Sequence, residues 1–134
     1  MSGMDSRTPT DWYAKAEEDL QAARALSDDK VRLYGVAAFH IQQALEKYMK
    51  GFLLAKGWQL QRIHDLTKLL HDLTTYEPAF AQYNALCIRA TEFYFESRYP
   101  LFPITVATEE EVKQLLSDAD KLIADIQQHT KPSP

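Results

Sequence analysis

The sequence predicts an all-α protein, an up-and-down helical bundle of four long helices plus one short helix. Three observations predict it. Between Tyr34 and Ala55 the residues Tyr34, Ala38, Ile41, Leu45, Tyr48, Phe52 and Ala55 step by four and three without a miss, the spacing of one helix face. Only 4 glycines occur in 134 residues, and the good helix formers Ala, Leu, Gln, Glu and Lys are spread along the chain. No segment alternates with a period of two over a useful length, as a half-buried strand would.

The elements follow in order. The first helix spans about Thr10 to Leu26, with Trp12, Ala16, Leu20, Ala23 and Leu26 on one face and Glu17, Glu18 and Arg24 outward. Ser27 to Lys30 (SDDK) reads as a turn. The second helix spans about Val31 to Lys56. Ala37, Ala44, Met49 and Leu53 widen its apolar stripe beyond what one neighbour covers, so it belongs at the centre of the bundle. His40, Gln43, Lys47 and Lys50 share its polar face, and Gly57 suits its C-terminal stop. A short third helix, Asp65 to about Tyr76, carries Leu66, Leu69, Leu70 and Leu73. The fourth begins near Pro78, a favoured first-turn residue, and stops near Tyr99, because Pro100 disfavours α geometry before it. The fifth opens on the capping-box pair Thr108 and Glu111 and buries Val112, Leu115, Leu116, Ala119, Leu122, Ile123 and Ile126.

The totals describe one ordinary globular domain, 46% hydrophobic and 25% charged. Residues 10–128 are expected to form it, with 1–9 and 129–134 as flexible, polar, proline-bearing ends. A single cysteine, Cys87, excludes a disulfide framework within one chain and favours a reducing, cytoplasmic setting. No apolar run approaches the ~20 residues that span a bilayer, and no membrane contact is expected. A net charge of -4 argues against generic, charge-driven nucleic-acid binding, although a local basic cleft is compatible with it.

Several chemistries lack their residues. A di-metal bundle site requires Glu-x-x-His pairs on facing helices, which are missing. His64 and His71 are separated on a helix by a rise of about 10.5 Å, too far for one ion. Asp118 and Asp120 point to different faces, and neither a phosphate-binding loop nor a GxGxxG pattern occurs. No metal and no cofactor are expected, and Cys87 reads as a core thiol. His40, Gln43 and Lys47 form either a solvated face or a cleft wall that donates hydrogen bonds to phosphate or base edges. Arg62, His64, Lys68 and His71 form a second basic cluster around the short third helix, where a hydrated loop and helix start is the plainer reading.

Three pieces together resemble one family: Phe39 to Lys50 (FHIQQALEKYMK), His64-Asp65-Leu66 with Leu69-Leu70, and Ser97-Arg98-Tyr99-Pro100. They resemble the HEPN domain, the helical module named for higher-eukaryote and prokaryote nucleotide binding. The resemblance covers roughly residues 10–128. It implies a homodimer with a cleft between subunits, and a minimal nucleotidyltransferase as partner. Many HEPN proteins are metal-independent ribonucleases whose signature is an arginine, four to six residues, then a histidine. Arg98 matches the arginine, but Pro103, Ile104 and Thr105 stand where the histidine would be.

The resemblance therefore implies a protein without catalytic residues that binds nucleotide or RNA. Arg98 is the expected phosphate donor, with Tyr99 stacking or hydrogen bonding beside it and His40, Gln43, Lys47 and His64 as further ligand-binding candidates. Dimerisation is expected through the excess apolar face of the second helix. The alternative is a divergent HEPN ribonuclease toxin of a toxin–antitoxin pair.

Overall fold

The computed structural model describes residues 6–98 and 107–130, without the side chains of 95–98. Its elements are α1 (Pro9–Leu26), α2 (Tyr34–Ala55), α3 (Leu66–Thr74), a 3₁₀ segment (Pro78–Tyr83), α4 (Asn84–Arg98) and α5 (Glu109–Thr130). No strand occurs among the described residues. The all-α bundle stands as the sequence predicts it. Residues 1–5 and 131–134 of the expected ends lie outside the described residues, while His129 and Thr130 continue α5.

The helix ends show where local chemistry overrides periodicity. α2 starts at Tyr34 rather than Val31. The Asp28 carbonyl accepts from the N–H groups of both Val31 and Arg32 at 2.9 Å, and Arg32 takes the left-handed φ of 56°, which an α-helix does not accommodate. At the other end, Gly57 adopts φ 92°, and the Trp58 N–H donates back to the Leu53 carbonyl at 3.0 Å. That is the left-handed closure glycine permits.

α3 stops at Thr74, short of Tyr76, because the N–H groups of Tyr76 and Glu77 both turn to the Leu73 carbonyl. Pro78 opens a 3₁₀ segment instead of the fourth α-helix. The Phe80 N–H bonds three residues back to Glu77, and the Phe80 ring is buried edge-on against Phe52, 5.4 Å between centroids. The capping box forms as expected: Glu111 N–H donates to Thr108 Oγ1 at 3.1 Å, and Thr108 N–H donates to Glu111 Oε1 at 3.3 Å.

α2 is the central helix, in contact with α1, α3, α4 and α5. Ala37, Ala38, Ile41, Ala44, Leu45, Tyr48, Met49, Phe52 and Leu53 are all buried inside this one chain. Those stripe positions are buried within the fold, while Val36 on the same helix, and Val31 and Leu33 just before it, stay exposed. Contacts with four neighbouring helices account for the burial of these positions. The expectation for Lys50 is corrected: it is 3% exposed and does not belong to a solvated face.

α1 runs antiparallel to α2, with Tyr13 beside Tyr48 and Gly51 at one end and the Leu33 N–H on the Leu26 carbonyl at the other. α4 and α5 pair antiparallel as well. Tyr83 donates to Asp125 near one end, and Arg89 Nη2 donates to Asp118 Oδ2 at 2.8 Å further along. Burial alone would raise the Asp118 carboxyl, but hydrogen bonds from Arg89 and Gln114 outweigh it and hold the group below the usual carboxylate range. Asp120 instead pairs with Arg24 of α1 at 2.7 Å, so the two acids serve different helices.

The α1–α2 contact depends on one small residue. A Cβ on Gly51 would stand 2.5 Å from Tyr13 Cε1 and 2.9 Å from Cδ1, inside van der Waals contact. The Tyr13 ring cannot yield cheaply, because it stacks on Tyr48 at 5.8 Å. Gly51→Ala should therefore cost about 1–3 kcal/mol in urea unfolding, the usual penalty of overpacking. In a Tyr13→Ala background the same change should cost nothing or stabilise, because Ala is the better helix former. An undiminished penalty in that background would show that Tyr13 is not the obstacle.

Candidate functional site

Polar residues four apart share one helix face, and α2 buries three of them. Gln42, Glu46 and Lys50 are 0%, 4% and 3% exposed. Glu46 lies at the centre. Its Oε2 accepts from Lys50 Nζ at 3.2 Å, and its Oε1 accepts from Gln42 Nε2 at 3.3 Å and His64 Nδ1 at 3.0 Å. Both carboxylate oxygens are thus engaged by neighbouring polar groups. Lys50 Nζ also stands 5.5 Å from the centroid of the Trp12 ring, close enough for a cation–π contact.

His64 comes from the segment that returns the chain from α2 to α3. Gly57 stops α2, and Asp65 caps α3 by accepting from the Thr67 N–H at 2.9 Å. Within that segment His64 is clamped twice, its ring on Glu46 and its backbone carbonyl by Gln42 Nε2 at 3.3 Å. Gln42 is itself oriented by Gln43, whose Nε2 donates to Gln42 Oε1 at 2.6 Å. One face of the imidazole lies on Tyr94 of α4, with centroids 4.9 Å apart and planes 15° apart. Leu66 N–H donates to Thr91 Oγ1 at 3.2 Å, tying the start of α3 to the same part of α4. The His64 side chain is nonetheless 46% exposed. It is a fixed ring with an open edge.

A second cluster lies further round the same polar arc, toward α1. Asp19 of α1 accepts from His40 Nδ1 at 2.9 Å through Oδ1 and from Lys47 Nζ at 2.5 Å through Oδ2. His40 and Lys47 are partly buried, and Asp19 offsets the charge of Lys47.

Of the candidates expected from sequence, His64 and Gln43 thus enter one hydrogen-bonded chain, and His40 and Lys47 meet on Asp19. Arg98 ends α4, one helical turn beyond Tyr94, and its side chain lies outside the described residues, as does Tyr99. Glu46, Lys50, Gln42, Tyr94 and Asp19 join these candidates as contact partners that the sequence does not nominate. The spacing 42, 46, 50 carried a signal, since three polar residues in register on a central helix need internal partners.

Other chemistries find little support. The Cys87 thiol is buried and pushed up to about 12, mainly by burial and also by Asp65, so it stays protonated and unreactive near neutral pH. Among the described residues no group of three His, Cys, Asp or Glu could hold a metal ion, and no helix is long and apolar enough to cross a membrane.

Comparison with known proteins agrees with this architecture. The family model described as HEPN domain matches residues 10–129. An archaeal HEPN homologue, ST0689, has a crystal structure that superposes with a TM-score of 0.73 at 28% identity, over 92% of this chain and 98% of that one. The crystal structure of TT1696 from Thermus thermophilus superposes with a TM-score of 0.74 at 24% identity, over 92% and 98% of the two chains, and shows the shared fold. No curated protein matches. The chain belongs to the HEPN domain family.

Proposed function

We propose that this protein is a dimeric, nucleotide- or RNA-binding HEPN protein that acts with a minimal nucleotidyltransferase. Its ligand sits where the segment carrying His64 meets the end of α4. The observation that carries this reading is the fixed, half-exposed imidazole of His64, held by a buried carboxylate and stacked on Tyr94, one helical turn before Arg98. Rigid donors and acceptors beside an arginine suit a phosphorylated ligand, because their geometry costs nothing to organise on binding. Arg98 takes the phosphate, and Tyr99 stacks or hydrogen bonds beside it. Gln43, His40 and Lys47 line the continuing arc. The last two pull less on an anion than Arg98, since both already serve Asp19.

The dimer rests on family membership. Light scattering should give the mass of two chains rather than the 15.4 kDa of one. Calorimetry should detect nucleotide or short-oligonucleotide binding to the native protein. Arg98→Ala should weaken it at least tenfold, the scale of a lost charge-assisted hydrogen bond, with an unchanged circular-dichroism spectrum. Equal affinity in the variant would remove Arg98 from the site.

A ribonuclease is the second reading, and one observation favours it. No histidine follows Arg98 at the family spacing, but His64 forms a carboxylate–imidazole pair with Glu46 near the same helix end, the arrangement of an oriented general base. That reading requires the purified protein to cut RNA in EDTA and His64→Ala to stop the cut. Intact RNA after prolonged incubation excludes it.

A further inference from the structure

We draw no further inference here: the strongest candidate, the exposed apolar patch of Val31, Leu33 and Val36 where α1 turns into α2, carries none because nothing in the structure shows what covers it.

Discussion

A carboxylate taken out of water in the middle of a helix costs several kcal/mol unless donors replace its hydration, and Glu46 collects three of them from two parts of the chain. Lys50 and Gln42 lie one turn away on either side in α2, and His64 comes from the segment before α3. Removing one partner of such a pair typically costs about 3–5 kcal/mol, because the other charge stays buried. The arrangement therefore constrains more than itself. It fixes the course of the α2–α3 segment, orients the imidazole and, through the His64–Tyr94 stack, ties that ring to the last turns of α4.

The centrality of α2 follows from the same economy of space. Its apolar positions are shared among α1, α3, α4 and α5, and Gly51 lets the Tyr13 ring lie directly against the helix backbone. What remains is one polar arc, running from the His40–Asp19–Lys47 cluster on the α1 side to the Glu46 network on the α3 and α4 side. Gln43 to Gln42 is the link along it. With most of its apolar positions covered, α2 offers a ligand chiefly that arc. Binding in this HEPN protein is therefore better sought along hydrogen-bonding side chains than on an apolar surface.

Much of the fold was legible because it rests on local rules. The stripe from Tyr34 to Phe52 and the Thr108–Glu111 capping box were readable from spacing alone, and both appear in the structure. The start of α2 was not, because it depends on the Asp28 carbonyl capturing two N–H groups around a left-handed Arg32. Nor was the 3₁₀ segment at Pro78, which the burial of Phe80 against Phe52 accompanies. The site was half legible. Gln43, His40 and Lys47 could be nominated as polar residues in helical register, and His64 from the basic cluster before the third helix. Their partners Asp19, Glu46 and Tyr94 are set by tertiary contacts between distant parts of the chain, which no local spacing encodes. Lys50 shows the limit most clearly. Its spacing matches a solvated face, and only the return of the chain at His64 and the approach of Trp12 explain its burial.

The central claim is that the buried Glu46 carboxylate sets the tautomer of His64. Long-range proton–nitrogen correlation spectra of the histidine rings, assigned with His64→Ala and recorded above the ring's titration, address it directly. The account predicts a proton on Nδ1 and a bare Nε2 for His64, with that pattern lost in Glu46→Gln. A proton on Nε2 in the native protein, or a pattern unchanged by Glu46→Gln, would contradict it.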